Sequence, residues 1–114
     1  MVAERRPGCL TFEVRGPDGA RVLVLPRGRI RIGRTADNEV PLPAASVARR
    51  HCEVLLVDGR PALQDNGTTN GTWLRGEHLC LGRPRPLVSG DVIGIPPFEI
   101  RVLFDADEPV SAPP

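Results

Sequence analysis

Three polar clusters contain the side chains most able to bind a ligand, and each lies between apolar segments. They are 33-GRTADN-38, 46-SVARRH-51 and 65-DNGTTNGT-72. Together they offer guanidinium groups, hydroxyls, carboxamides and an imidazole, and the arginine fork is well suited to an oxyanion. Taken singly, the arginines are better explained as solvated surface charge, and the 65–72 cluster can be explained as a tight turn. Their value as a binding site therefore depends on a rigid fold that brings the loops together.

Catalytic and metal chemistry fit these residues poorly. A hydrolytic site would have to combine Ser46 and His51 with an aspartate, but no nucleophile-elbow sequence is present and Ser46 precedes His51 too closely to indicate a triad. A metal site built from His51, Cys52 and His78 lacks the paired spacing of metal ligands. We therefore predict a protein that is not an enzyme and holds no metal and no cofactor.

The elements that position the clusters are predicted to be β-strands. The 13 prolines and 12 glycines interrupt almost every stretch before a helix of ordinary length could form. Short segments with β-branched or alternating apolar residues lie between the interruptions, at 10–15, 21–25, 29–33, 52–58, 60–64, 91–95 and 98–104. The turn sequences Pro17-Asp18-Gly19 and Asp58-Gly59 favour hairpins, because Gly and Asp tolerate positive φ. This pattern indicates an antiparallel β-sandwich. We predict that Trp73 is a core or strand residue with a structural role, because its bulk suits the interior.

Residues 44–58 are the one stretch that competes with the strand pattern, since they contain no Gly or Pro. The segment 44–51 includes good helix formers, so propensity leaves a short helix open there. The apolar run Val54–Val57 ends at a turn, which favours a buried strand preceded by an exposed loop. We place Arg49 to His51 at the junction of that loop and strand.

The length of the chain matches one domain. Its 114 residues suffice for one continuous core but not for a catalytic and a regulatory domain together. We assign residues 1–9 to an N-terminal extension and residues 10–104 to the domain. Residues 105–114 mix acid and proline with little to bury, which predicts a disordered tail or a linker.

Charge and hydropathy limit the partners. A net charge of +1 and an aromatic content of 4% argue against nucleic-acid binding. No apolar run approaches the length of a membrane span, and the N-terminal MVAERRPG is not followed by the apolar core of a signal peptide. We expect a cytoplasmic monomer that binds neither membrane nor nucleic acid.

The combination of the clusters is far more specific than its parts. Gly33-Arg34, then Arg49-Arg50-His51, then Thr69-Asn70-Gly71-Thr72, ordered this way on a β-sandwich, strongly resembles the forkhead-associated (FHA) domain family. The resemblance extends from Leu10 to Phe104 and includes the Ser89-Gly90-Asp91 turn. It implies an antiparallel sandwich of about eleven strands with binding loops at one end. It also implies a signalling adaptor whose partner is a threonine-phosphorylated protein or peptide.

The resemblance implies a role for each matched residue. Arg34 would supply the guanidinium fork for the phosphate, and the side-chain amide of Asn70 would clamp the peptide backbone beside the phosphothreonine. The backbone N–H of Arg49 would face the phosphate, while the side chain of Arg49 or Arg50 adds long-range attraction. Thr69 would be a neighbouring polar contact. The residues that would support the site are Gly33, His51, Gly71 and Thr72.

One position departs from the family pattern. Ala48 stands three residues before His51, where the family has a serine whose hydroxyl donates to the phosphate. A hydrogen bond to a charged group is worth about 1.5 to 3 kcal/mol, so its loss weakens binding roughly tenfold to a hundredfold. Ser46 would lie on the same side of an extended chain at about 7 Å, and it is either a substitute donor or a plain loop serine.

The departure leaves a second function open. A module of the same fold could bind its partner without phosphate, through a sheet face or an edge strand. Loss of binding after phosphatase treatment would distinguish the first function from the second.

Overall fold

The fold is a sandwich of two β-sheets, seen in a computed structural model that describes residues 8–79 and 82–105. The strands in these residues are β1 (Cys9–Gly16), β2 (Gly19–Pro26), β3 (Ile30–Gly33), β4 (Val40–Pro41), β5 (Cys52–Val57), β6 (Arg60–Asp65), β7 (Trp73–Leu74), β8 (Glu77–His78), β9 (Arg85–Pro86), β10 (Val92–Ile95) and β11 (Phe98–Leu103). The predicted all-β sandwich is confirmed. Within the described ranges we find no helix long and apolar enough to cross a membrane.

The two sheets differ in strand order but share one core. The first contains six strands in the order β2-β1-β11-β10-β7-β8, and the second contains five in the order β4-β3-β5-β6-β9. The pairing of β3 with β4 is parallel, whereas β3 pairs with β5, and β5 with β6, in antiparallel fashion. Consequently the end of β3, the start of β5 and the end of β6 lie side by side at the same end of the second sheet.

Alternation along the long strands builds the core. Leu10, Phe12 and Val14 of β1 are buried, and they lie beside the buried alternate residues of β11, which begin with Phe98 and Ile100. Successive strand residues point to opposite faces, so one face of each strand packs inward and the other meets solvent. The second sheet contributes apolar side chains such as Ile32 and Val54 to the same cluster.

The hairpin turns occur where the sequence predicts them. Asp58 and Gly59 both have positive φ, 53° and 78°, and they join β5 to β6. Gly19 begins β2 directly after the Pro17-Asp18 turn. The seven predicted strand segments all contain strands, and β5 begins at Cys52, so Arg49 to His51 do form the predicted junction. Residues 44–51 adopt turns rather than the competing helix.

Two predictions about burial were wrong. The second half of the run Val54–Val57 is not buried, since Leu56 is 40% and Val57 is 42% exposed where β5 extends towards its hairpin. Trp73 lies in a strand but not in the interior, because alternation in β7 gives the inward position to Leu74. Its indole is 40% exposed and packs against the His78 ring, with the ring centroids 4.7 Å apart.

Some predictions concern residues that lie largely outside the ranges that the structure describes. Residues 1–7 of the proposed N-terminal extension and residues 106–114 of the proposed tail are among them. Cys52, by contrast, is described and fully buried, and burial raises the pKa of its thiol, so it stays protonated and unreactive.

Glu39 fastens the loop after β3 back onto the strand. Its carboxylate accepts from the Arg31 backbone N–H at 2.8 Å and from the Arg31 guanidinium at 3.0 and 2.8 Å. These hydrogen bonds, first that of the guanidinium, lower the pKa of Glu39 from 4.5 to about 2. A depressed acid pKa means that this contribution to stability is complete above pH 4.5 and is lost as the pH falls towards about 2.

We therefore expect Glu39→Gln to lower the free energy of unfolding near neutral pH by about 1 kcal/mol, a modest value because solvent screens this half-exposed pair. Urea unfolding of the variant and the wild type should show this difference shrinking as the pH is lowered below 4.5. Glu13→Gln is the matched control, since Glu13 only approaches Arg101 at 3.8 Å and should change stability less. A difference that stays constant or grows on acidification would contradict the assignment.

Candidate functional site

The three polar clusters meet at the end of the second sheet where β3 ends and β5 begins. The Arg34 backbone N–H donates to the Ala48 carbonyl at 2.9 Å, and the His51 N–H donates to the Ile32 carbonyl at 2.8 Å. The Asn66 N–H then donates to the His51 carbonyl at 3.1 Å, which attaches the loop after β6. Backbone hydrogen bonds therefore hold the three loops in fixed positions relative to one another.

A small pocket opens between these loops, and we call it the loop pocket. It has a volume of about 190 Å³. Its lining residues are Arg34, Ala45, Ser46, Val47, Ala48, His51, Thr68, Thr69 and Asn70. Four of the predicted contact residues, Arg34, Ser46, Thr69 and Asn70, thus share one cavity, and Ala48 lies in its wall. The side chains of Arg49 and Arg50 do not line it.

Arg34 presents its guanidinium to the loop pocket from the end of β3. The group is half-buried, and its Nη1 donates to the Val47 carbonyl at 3.1 Å. No other side-chain hydrogen bond joins this guanidinium to the described part of the chain. A guanidinium has five N–H donors, so donors remain for an incoming anion.

Asn70 also lines the loop pocket. Its Nδ2 donates to the Ser46 carbonyl at 2.7 Å, and its side chain is exposed. The Ser46 hydroxyl donates to the Pro96 carbonyl at 3.2 Å, which directs it to the turn between β10 and β11. Ser46 therefore lines the pocket, yet its hydroxyl already has a partner elsewhere.

His51 joins two of the loops from beneath the pocket. Its side chain is 1% exposed. The Ala48 backbone N–H lies 3.1 Å from Nδ1, which must accept, and Nε2 therefore carries the proton and donates to the Gly71 carbonyl at 2.7 Å. One neutral imidazole thus links the loop before β5 to the loop after β6.

Gly33 allows a close approach of two backbone segments. A Cβ added at this position would lie 2.0 Å from the Arg49 carbonyl oxygen and 2.7 Å from its carbon. The same Arg49 carbonyl accepts from Nδ2 of Asn38 at 2.9 Å. No side chain fits at Gly33 unless this carbonyl moves.

The loop after β6 is organised around a buried carboxylate. Asp65 accepts from the Gly67 backbone N–H at 2.7 Å and from the Thr72 hydroxyl at 2.6 Å. Gly71 has a positive φ of 80°, and its N–H donates to the Thr68 hydroxyl at 3.1 Å. These contacts shape the turn that carries Thr69 and Asn70, while Thr69 itself remains exposed.

Neither of the two arginines before His51 lines the loop pocket. Arg50 forms an ion pair with Asp37 at 2.8 Å and donates to the Asn38 side-chain oxygen at 3.2 Å. A hydrogen bond from Thr35, followed by the charge of Arg50, lowers the pKa of Asp37, so the pair persists into acid. The exposed Arg49 guanidinium forms no ion pair with the described residues. The structure therefore does not place either side chain at the pocket wall.

Asn38 and Asp65 are functional supports that the sequence did not identify. Both are buried polar residues, and each satisfies several loop hydrogen-bonding groups. The available signal was weak: each is an Asx residue in a turn-rich segment, where a side chain often bonds to nearby backbone. The described residues contain no cluster of His, Cys, Asp and Glu that could hold a metal ion.

Comparison with known proteins agrees with the β-sandwich architecture. The ABC transporter ATP-binding/permease protein Rv1747 of Mycobacterium tuberculosis is 33% identical over 95 residues, which cover 83% of this chain but 9% of that protein. This chain therefore spans a small part of that relative. An FHA domain solved in an analysis of phosphothreonine-dependent FHA domain interactions superposes with a TM-score of 0.72 at 31% identity, covering 85% of this chain and 97% of that one.

A second solved structure is the FhaA FHA domain complexed with the intracellular domain of Rv3910. It is 32% identical, with a TM-score of 0.69, over 82% of this chain and 98% of the other. The sequence model of the FHA domain matches residues 30–96, which contain all three clusters. On this evidence the chain belongs to the FHA domain family.

Proposed function

We propose that this FHA domain binds threonine-phosphorylated peptides in the loop pocket and acts as a signalling adaptor rather than an enzyme. The observation that carries the proposal is the convergence of Arg34 and Asn70 on one cavity, although they come from loops far apart in the sequence. A phosphothreonine carries nearly two negative charges and three acceptor oxygens. A half-buried guanidinium on a fixed loop is the donor best suited to it.

Binding would exchange internal contacts with carbonyls for contacts with the ligand. Arg34 now donates to the neutral Val47 carbonyl, and Asn70 donates to the neutral Ser46 carbonyl. A contact between guanidinium and phosphate pairs two ionised groups and can be bidentate, so a phosphate would compete well for the guanidinium. A peptide carbonyl could replace the Ser46 carbonyl at Asn70, which would hold the ligand backbone beside the phosphate.

The positive charge around the pocket favours an anionic ligand, and it comes chiefly from Arg34 and Arg49. Arg50 is neutralised by Asp37, so its contribution at a distance is small. The exposed Arg49 has no such carboxylate among the described residues and is the better source of long-range attraction. Since exposed charges are screened by salt, binding should weaken as ionic strength rises.

The two FHA relatives support the ligand class. One was solved in a study of phosphothreonine-dependent interactions, and the other was solved bound to a protein domain. The direct experiment is calorimetric titration of the domain with a degenerate phosphothreonine peptide pool and with the same pool lacking phosphate. We expect binding to the phosphorylated pool alone, and equal heats with both pools would overturn the proposal.

Ala48 is proposed to weaken the site, and restoring the missing hydroxyl should strengthen it. Ala48 lines the loop pocket, so Ala48→Ser would add a donor close to the phosphate position. We expect phosphothreonine binding to tighten by about 1 to 2 kcal/mol, with no change for an unmodified peptide. Calorimetry on both proteins with one phosphothreonine peptide measures this difference.

Ser46→Ala is the matched variant for that experiment. Because the Ser46 hydroxyl donates to the Pro96 carbonyl, its removal should leave phosphopeptide affinity nearly unchanged. If Ser46→Ala instead weakens binding while Ala48→Ser has no effect, the Ser46 hydroxyl is the group that donates a hydrogen bond to the phosphate. In that case Ala48 does not lower the affinity for the phosphopeptide.

A second candidate function is phosphate-independent binding through strand β2. This strand is an edge of its sheet, and its Val22 and Val24 are 60% and 45% exposed. An unprotected apolar edge can pair with a strand of another chain. Binding of a protein partner that survives phosphatase treatment and is lost in Val22→Lys would favour this function over the loop pocket.

A further inference from the structure

His78 lies against the turn that carries Asn70, although it does not line the loop pocket. A Cβ built on Gly71 would lie 2.1 Å from His78 Nε2 and 2.7 Å from its Cδ2. The edge of the imidazole therefore occupies the space in which any other residue at position 71 would place its side chain. Nothing described above for phosphate recognition uses this histidine.

A tight hairpin brings His78 back to this turn. Arg75 and Gly76 join β7 to β8, and their positive φ values of 52° and 76° are typical of a two-residue hairpin turn. His78 is consequently the cross-strand partner of Trp73. The two rings pack together with their centroids 4.7 Å apart and their planes at 50°. The indole thus supports the imidazole in the direction that reaches Gly71.

Gly71 is held on three sides, and His78 supplies the third contact. The Gly71 N–H donates to the Thr68 hydroxyl at 3.1 Å, and its carbonyl accepts from His51 Nε2 at 2.7 Å. His51 is buried whereas His78 is exposed, so the two imidazoles contact Gly71 from the interior and from the solvent side. Glycine loses more conformational freedom on folding than any other residue, so its position depends strongly on contacts of this kind.

The direction of the Asn70 side chain depends on Gly71, which directly follows it. Asn70 is exposed, and its Nδ2 donates to the Ser46 carbonyl at 2.7 Å. A peptide carbonyl that replaces the Ser46 carbonyl would remove this restraint at the moment of binding. From then on the backbone of the turn alone would direct the carboxamide, so a mobile Gly71 would weaken its grip on the ligand.

We infer that His78 is a positioning residue for Asn70: its imidazole fills the side-chain space of Gly71 and holds the turn in the form that presents the Asn70 amide to the peptide. The inference rests on the proposed function, in which Asn70 holds the ligand backbone beside the phosphate. The contacts that place the ring are packing contacts with Gly71 and Trp73. The shape and reach of the side chain at position 78 are therefore the properties to test.

Three variants of His78 test this requirement by calorimetry with one phosphothreonine peptide. His78→Ala empties the space beside Gly71, and His78→Asn reaches only to about the place of Nδ1, whereas His78→Gln reaches to about the place of Nε2. We expect the alanine and asparagine variants to lower affinity about threefold to tenfold and the glutamine variant to retain most of it. Glu77→Ala is the matched control, since Glu77 pairs with Arg85, and its loss should leave affinity unchanged.

The second part of the test needs no ligand. Nitrogen-15 relaxation of the free wild type and of each variant gives the order parameters of the backbone amides. We expect those of Asn70 and Gly71 to fall from about 0.85 towards about 0.6 in His78→Ala and His78→Asn, and to stay near the wild-type value in His78→Gln. The order parameter of Ala48, in the neighbouring loop, should not change in any variant.

The outcomes separate this inference from the proposed function, with thermal melts to establish that each variant is folded. A folded His78→Ala that changes neither the order parameters nor the affinity overturns the inference. It is also wrong if His78→Gln loses as much as His78→Asn, because the space beside Gly71 is then not what matters. If the wild type binds no phosphorylated peptide although the order parameters fall as expected, the proposed function is wrong, and a role of His78 in binding falls with it.

Discussion

Arg34→Ala is expected to reduce binding of a phosphothreonine peptide to the level of the unmodified peptide. Among the described residues, Arg34 alone brings a guanidinium to the loop pocket. Its removal would delete a charge-assisted, potentially bidentate contact of up to two hydrogen bonds with the proposed phosphate. At about 1.5 to 3 kcal/mol for each bond, the loss amounts to roughly a hundredfold or more in affinity. Isothermal titration with one phosphothreonine peptide measures it.

Two further variants make this result specific. Arg60→Ala deletes the same charge from the exposed start of β6 and should leave affinity almost unchanged. Arg34→Lys retains the charge but not the planar fork, so it should fall between the wild type and Arg34→Ala. Thermal melts establish that each variant is folded. An Arg34→Ala protein that is folded and binds as well as Arg60→Ala would show that the phosphate does not bind at Arg34.

Gly33→Ala is expected to produce the largest loss of stability among the changes considered. The new methyl group would meet the backbone carbonyl of Arg49 at 2.0 Å, and a backbone segment fixed by hydrogen bonds cannot move aside cheaply. We expect the free energy of unfolding to fall by about 2 to 3 kcal/mol. Urea unfolding followed by circular dichroism gives the value. Phosphopeptide affinity should fall as well, because Ala48 and Arg49 form the adjacent loop.

Gly94→Ala is the matched control for overpacking. Its new Cβ would lie 3.3 Å from the Trp73 Cβ, a contact that a shift of a few tenths of an ångström relieves. Its cost should therefore be well below that of Gly33→Ala. Equal costs at the two positions would mean that the Arg49 carbonyl is free to move and that Gly33 has no special part in shaping the pocket.

The long strands could be predicted because each combines several independent signals. The segments around Phe12 and Ile100 alternate apolar and polar residues and end at turn residues. The two-residue period and the turn residues therefore predict the same strands. The two-residue strands β4, β7, β8 and β9 were missed, since a pair of residues has no period to detect. Longer neighbours pair with β4, β7 and β9, as β10 does with β7 through Gly94 and Trp73, and β8 in turn pairs with β7.

The contact residues of the site could be proposed from order and spacing, but their geometry could not. The FHA resemblance brought Arg34 and Asn70 to one end, and the structure places both in the loop pocket. The direction of each arginine depends on loop partners that no spacing reveals, which is why the ion pair of Arg50 with Asp37 was not anticipated. A cytoplasmic location, a monomeric state and the role of each site residue stay predictions.

The most direct test of phosphothreonine recognition in the loop pocket is a nuclear magnetic resonance titration of the isotope-labelled domain. Phosphorylated and unphosphorylated forms of one degenerate peptide pool would be added in turn while backbone amide signals are followed. We predict that the phosphorylated form shifts the signals of residues lining the loop pocket, including Arg34, Ala48 and Asn70, and that the unphosphorylated form does not. Shifts confined to strand β2, or the same shifts with both forms, would contradict the account.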